Sequence, residues 1–227
     1  LQHLTNNSNT AQKVTYTITP FAINNSGNNV CSYSSIYIDV WVEPTIIITA
    51  KNDTICNGNS ITITPVTSSV ATSGIRYKWT VIDNSAGDIT GFSNSDMTGN
   101  TIGSSIVQTL NNSSSSVKNI IYRITPWALN NQGDNTCSSP SIDITVYVNP
   151  NPRMSVTSND TLFCNTNTAL FTLLSKNGVV MGNKYYYIEV SYDAAKVQVS
   201  GVQNTYAPIE NFQHTYTNIT TEMQPVT

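Results

Sequence analysis

The chain has 227 residues, of which 10% are charged, and a net charge of −3. A near-neutral, faintly acidic surface argues against nucleic acid or anionic membrane as partner, since both need clustered Lys and Arg. Asn, Ser and Thr supply 86 of the 227 residues, yet β-branched and aromatic residues sit in periodic runs, which separates the chain from polar disorder.

Residues 1–44 read as closing strands. From Lys13 to Ala22 the residues alternate, with Val14, Tyr16 and Ile18 on one face and Thr15, Thr17 and Thr19 on the other. That is the period-two pattern of a half-buried strand. Asn24 to Asn29 forms a turn, because Asn and Gly tolerate positive φ. Ile36, Ile38, Val40 and Val42 then supply the inner face of the second strand of a long hairpin, which Pro44 ends.

Residues 45–150 read as one complete unit. Strands are expected near Ile46–Ala50, Ser60–Pro65, Ile75–Asp83, Asp88–Phe92, Ile102–Leu110, Asn119–Leu129 and Ser141–Val148. Gly, Asn and Ser clusters, including Asn57 to Asn59 and Asn84 to Gly87, separate them. Short strands with regular turn signals point to an antiparallel β-sandwich of immunoglobulin-like type, with Trp79 expected in its core.

The closing hairpin occurs twice. Tyr16-Thr17-Ile18-Thr19-Pro20 returns as Tyr122-Arg123-Ile124-Thr125-Pro126, 106 residues later, and 20 of 41 positions are identical when residues 4–44 are laid on 110–150. Residues 151–227 begin a third copy: Asp53-Thr54-Ile55-Cys56 is echoed by Asp160-Thr161-Leu162-Phe163-Cys164, and Leu4, Leu110 and Tyr216 are equivalent. The expected fold is therefore all-β, with tandem sandwiches at a period of 106 residues. Because Leu1 falls inside a repeat, a longer parent chain is expected. No apolar run approaches the roughly 18 residues of a membrane span, so no membrane insertion is expected.

Each repeat carries one early cysteine (Cys56, Cys164) and one late cysteine (Cys31, Cys137). The simplest pairing is Cys56 with Cys137, leaving Cys31 and Cys164 to pair outside residues 1–227. A strict seven-strand topology would instead put the two at opposite ends, beyond the ~7 Å Cα reach of a disulfide. The early cysteine would then face the late cysteine of the next repeat and staple the junction. Regular cysteines in a Ser/Thr-rich sandwich fit an oxidising, extracellular location.

No residue set points to catalysis. His3 and His214 read as exposed loop residues, and no nucleophile elbow, His-Glu-x-x-His or phosphate loop occurs. No cofactor is expected. Asp83 and Asp88 flank a turn and could touch calcium, but lack the dense oxygen ligands of a dedicated site. The equivalent aromatics Trp41 and Tyr147, and Trp127 after the Thr-Pro step, could stack on sugar rings. That carbohydrate-binding reading stands beside packing against the neighbouring repeat, which the position of Trp41 and Tyr147 three residues before a boundary proline favours. The Asp-Thr-hydrophobe steps at Asp53 and Asp160 read locally as turns capping their own backbone. The Asn-x-Ser/Thr sequons at Asn6, Asn24, Asn52, Asn111, Asn112, Asn159 and Asn218 are expected by chance in this composition.

Asp53, Thr54, Cys56 and Gly58, then Trp79, then Tyr122, Thr125, Pro126, Cys137, Asn149 and Pro150 resemble the pattern of PKD-like or Ig-like repeats in giant surface proteins of Bacteroidota. The third copy departs from it, with Thr166 for the glycine and no Trp. The resemblance, to SprB-type gliding adhesins exported by type IX secretion, implies a repeat segment of a secreted, cell-surface adhesin. It implies O-glycan acceptors at Thr54 and Thr161. It further implies partners among neighbouring repeats, surface polysaccharides and the gliding or secretion machinery.

Overall fold

The computed structural model describes residues 2–83, 87–201, 205–207 and 210–226. Part of the expected turn at Asn84 to Gly87 lies outside the described residues. The first stretch holds β1 (Gln12–Ile18), β2 (Phe21–Ile23), β3 (Asn29–Ser32) and β4 (Ile36–Val42). The central stretch holds β5 (Ile48–Thr49), β6 (Asp53–Cys56), β7 (Ser60–Ile63), β8 (Val66–Thr67), β9 (Ile75–Asp83), β10 (Ile89–Thr90), β11 (Asn100–Thr101) and β12 (Ile106–Thr109). It continues through β13 (Asn111–Asn112), β14 (Lys118–Leu129), β15 (Asn135–Ser138) and β16 (Ile142–Asn149). The third stretch holds β17 (Met154–Ser158), β18 (Thr168–Ser175), β19 (Tyr186–Ile188), β20 (Val197–Gly201), β21 (Thr205–Ala207) and β22 (Asn211–Asn218).

The fold is all-β, built from tandem immunoglobulin-like, predominantly antiparallel sandwiches. In the central stretch β14 is the organising strand. It pairs with β9 on one side and with β16 and then β15 on the other. Its alternation explains why: Ile120, Tyr122, Ile124, Pro126 and Ala128 turn into the core, while the residues between them face outward. The facing layer comes from the short pairs β5–β8, β7–β12 and β10–β13. The two layers enclose one core running from Ile46 to Val148. Trp79 is buried there as expected and donates its indole N–H to Ser93 O at 2.9 Å.

The Thr-Pro step has a structural meaning. β14 pairs with β16 up to Ile124 and with β15 from Trp127, so Pro126, which has no N–H to offer, falls where the ladder is interrupted. The first copy behaves alike: β1 pairs with β4 up to Ile18, and β2 meets β3 from Phe21. The register shifts after Ala22 and after Ala128, again 106 residues apart.

Two expectations need correction. Asp53–Cys56 is not only a turn but a strand, β6, running parallel to β16 at the sheet edge. Its Asp53 Oδ1 does accept the Thr54 N–H at 2.7 Å, as a local cap would. His214 is not an exposed loop residue: it is 2% exposed on β22, edge-on to Phe171, Phe212 and Tyr216.

The third copy carries a backbone conflict. Gly58 (φ +81°) donates its N–H to Leu110 O, and Thr166 (φ +66°) makes the same bond to Tyr216 O, both at 2.9 Å. A β-branched residue in the left-handed region costs about 1–2 kcal/mol, a cost that glycine does not incur. Thr166→Gly is expected to raise the stability of the third stretch by about 1 kcal/mol, less the extra chain entropy glycine gains on unfolding. Urea melts of both chains check this, and an unchanged or lower midpoint would refute the strain.

Candidate functional site at the junctions between repeats

Chain connection alone does not hold the copies together. At the first junction Ala11 N–H donates to Val70 O at 3.0 Å and Val70 N–H donates to Asn9 O at 2.8 Å. At the second, Val117 N–H donates to Val179 O at 2.7 Å and Gly178 N–H to Ser115 O at 3.0 Å. Ala11 and Val117, like Asn9 and Ser115, lie 106 residues apart; on the other side Val70 both accepts and donates at the first junction, while Val179 accepts and its neighbour Gly178 donates at the second.

The residue before each boundary proline repeats the pattern. The Glu43 carboxylate accepts from the Thr72 N–H at 3.2 Å and from the Thr72 hydroxyl. The Asn149 amide exchanges two hydrogen bonds with the Met181 backbone, at 2.7 and 3.0 Å. A cavity of about 420 Å³ opens beside this second contact, lined among others by Cys56, Arg153, Lys184, Tyr185 and Tyr187.

The segment that reaches across is itself shaped by a buried asparagine. Asn112, 5% exposed, donates its amide to Ser116 O (2.9 Å) and Val148 O (2.7 Å) and accepts the Ser114 N–H (2.9 Å). Its backbone N–H reaches Asn57 Oδ1 at 2.6 Å. Asn6 does the same one repeat earlier, toward Thr10 O (2.8 Å), Val42 O (2.9 Å) and the Ser8 N–H (2.9 Å). Asn218 rebuilds the turn with Glu222 O (2.7 Å) and the Thr220 N–H (2.8 Å). Each is an Asx-type turn in which one amide shapes the loop, and in the first two copies it also ties that loop to the end of the closing strand. Sequence reading counted these asparagines only as chance sequons. The signal that would have found them is Asn at a 106-residue spacing in all three copies.

The four cysteines are free and exposed. Cys56 lies level with Asn149, just past the Lys118–Val148 pair, whereas Cys137 lies level with Ala128. From Lys118 to Ala128 the strand rises roughly 33 Å at about 3.3 Å per residue. The geometry thus corrects the Cys56–Cys137 pairing and meets the topological objection to it. Cys31 lies opposite Ala22, on the hairpin end away from Pro44, and Cys164 lies in the third stretch.

The aromatics form no shared platform. Tyr147 sits opposite Asn119, and Trp127 lies eight residues further along β14, roughly 26 Å away. Trp127 is half-buried, with the Lys78 ammonium 5.5 Å from its ring centre. Trp41 is 55% exposed on the first hairpin, so close packing against its neighbour is not found there. Thr54 and Thr161 are both exposed, and each donates its backbone N–H to the preceding Asp at 2.7 Å.

Charge is spent in isolated surface pairs. Arg123 makes a two-pronged pair with Asp143, at 2.8 Å for both bonds, and its hydrogen bonds hold the Asp143 carboxyl below its usual range. The Thr15 hydroxyl, then Lys13, does the same for Asp39. Burial pushes the Tyr122 phenol well up, and its hydroxyl donates to Gln108 Oε1 at 2.7 Å. Asp88 is engaged by Lys118 at 2.6 Å, and the Asp83 side chain lies outside the described residues. Among the described residues no three His, Cys, Asp or Glu side chains come together.

Two solved structures offer distant similarity. One is described as FdeC, a broadly conserved Escherichia coli adhesin eliciting protection against urinary tract infections. It is 17% identical with a TM-score of 0.42, over 80% of this chain and 60% of that one. The other is the CsuC–CsuE chaperone–tip adhesion subunit pre-assembly complex of the archaic chaperone-usher Csu pili of Acinetobacter baumannii. It is 10% identical with a TM-score of 0.28, over 80% of this chain and 98% of that one. No curated protein matches the chain. Residues 53–152, from β6 to just past the boundary Pro150, match the model of the PKD-like domain family.

Proposed function

We propose that this chain is a segment of the stalk of a large secreted adhesin, displayed on the cell surface, with units bounded at Pro44 and Pro150. The observation that carries the reading is the repeated junction. In both places where two copies meet, two backbone hydrogen bonds tie the segment before the closing hairpin, at Asn9 and Ala11 and at Ser115 and Val117, to the next copy, which suits units stacked in series. Surface solubility from hydroxyls and amides in place of charge, and a PKD-like match, support the same reading. Function then lies in holding and spacing, with no catalytic step. The finer form of the proposal is a filament of the gliding-adhesin kind, exported by type IX secretion, with O-glycans on the exposed Thr54 and Thr161. The separation of Trp127 from Tyr147 favours this over a carbohydrate-binding module.

Antibody raised against residues 45–150 should label intact, unpermeabilised source cells, and protease shaving should remove the signal. Labelling only after permeabilisation would sink the surface reading. Mass analysis of the native protein should find sugar on the Thr54 and Thr161 peptides; bare peptides would remove that part alone.

A further inference from the structure

Two Asn–Gly steps occur in the chain, Asn57-Gly58 and Asn177-Gly178. Glycine leaves its backbone nitrogen unshielded, so such a step is the one most open to attack by that nitrogen on the preceding side-chain amide. Both steps are held shut, but by different parts of the molecule. Asn57 Oδ1 accepts the Asn112 N–H at 2.6 Å, and the Gly58 N–H donates to Leu110 O at 2.9 Å. Leu110 is fully buried, so that clamp belongs to the closed core of the central sandwich.

Asn177 is held instead by the second junction. Its Oδ1 accepts the Arg153 N–H at 2.6 Å, and its Nδ2 donates to Asn151 O at 3.0 Å and, across the junction, to Ser115 O at 3.2 Å. The Gly178 N–H donates to the same Ser115 O at 3.0 Å. These bonds turn the side chain back toward Asn151 and Arg153, and they engage the nitrogen that would attack it. Glycine is required at this position, because a Cβ on residue 178 would collide with Ser116 Oγ. The junction thus needs the dipeptide that is chemically weakest. At the first junction the segment from Ser68 to Val70 carries no Asn–Gly step. Ser68 and Val70 are exposed in the complete central unit, as Gly178 and Val179 are in the next, so solvent access is a property of the junction segment.

We propose that Asn177 is a deamidation site guarded by the junction, and that its conversion loosens that junction irreversibly. When the junction opens, the Gly178 nitrogen gives up its proton and bonds to Asn177 Cγ; the Cγ–Nδ2 bond breaks and ammonia leaves. Water then opens the resulting cyclic imide at either carbonyl, leaving aspartate or isoaspartate at this position. The net reaction takes up water and releases ammonia, with nothing oxidised or reduced. A carboxylate cannot donate, so the bonds to Ser115 O and Asn151 O are lost and a negative charge faces both carbonyl oxygens. Isoaspartate also lengthens the main chain before Gly178 and draws its N–H off Ser115 O. The result is a one-way softening of this joint, which the Glu43–Thr72 contact at the first junction does not share.

Peptide mass analysis of the full chain held in mildly alkaline buffer tests this. Asn177 should deamidate at least ~10-fold faster than Asn57, because the junction opens more readily than the core, yet more slowly than in the urea-denatured chain. Asn149→Ala, which removes the side-chain bonds to Met181, should speed Asn177 and leave Asn57 unchanged. Asn177→Asp, which installs the product directly, should speed amide exchange at Gly178 and Val117 relative to Ile124. Should Asn149→Ala loosen the core as well, Asn57 accelerates with it and the Asn177→Asp exchange decides. Conversion of Asn177 no faster than Asn57, conversion at the rate of the denatured chain, or wild-type exchange at Gly178 and Val117 in Asn177→Asp overturns the proposal.

Discussion

Val146→Asp is expected to unfold the central sandwich, while Val40→Asp leaves its melting unchanged in dilute solution. The two valines are equivalent, 106 residues apart, and pair in the same register with Ile120 and Val14. Val146 is 0% exposed at the centre of the closed core, whereas Val40 is 36% exposed on the uncovered hairpin face. An uncompensated carboxylate in the core costs several kcal/mol, about 3–5 by analogy with a broken buried pair. That is a large share of the ~5–15 kcal/mol that holds an ordinary domain together. At about 4–8 °C per kcal/mol for a unit of this size, the midpoint should fall by at least ~12 °C. Calorimetry separates the outcomes. A Val146→Asp melt within a few degrees of wild type would mean that the core does not close over this position. A matching loss in Val40→Asp would mean that the hairpin face is covered.

The contrast shows what the chain discloses on reading. β14, β16 and the β1–β4 hairpin were legible because each carries strict period-two alternation and because the pattern occurs twice. Trp79 was legible as core for a different reason, its place in the third strand, where sandwiches of this type bury an aromatic. β6 was not, since its exposure pattern has a single half-buried position, Ile55, and an edge strand lying parallel to β16 leaves no alternation to find. His214 was misplaced because the rings around it, Phe171, Phe212 and Tyr216, come from two strands that meet only through β18–β22 pairing. The cysteines show a related blindness. Spacing reports that they recur, but only the register tells which end of the sheet each one occupies. The junction asparagines were hidden by composition: among so many amides, one that is buried looks like all the others.

Asn112→Ala is therefore the substitution that most directly tests the junction. The change removes both amide hydrogen bonds, leaving Ser116 O and the buried-side Val148 O without that donor, and it frees the Ser114 N–H. Stranded buried polar groups cost about 1–3 kcal/mol each, part of which water recovers at the loop, so a loss of about 2–4 kcal/mol is expected. The neighbouring Asn111 is exposed, and Asn111→Ala should cost less than about 0.5 kcal/mol. Stability alone would not distinguish a core defect from a junction defect, but amide exchange does. If Asn112 shapes the segment that reaches the next repeat, the Val117 and Gly178 N–H groups, which donate across the junction to Val179 O and Ser115 O, should exchange faster in Asn112→Ala. The Ile124 and Val146 amides should move only with the global stability. Faster exchange confined to the core, with Val117 and Gly178 keeping their protection relative to it, would make Asn112 a core residue and leave the junction to Asn149 and its bonds with Met181.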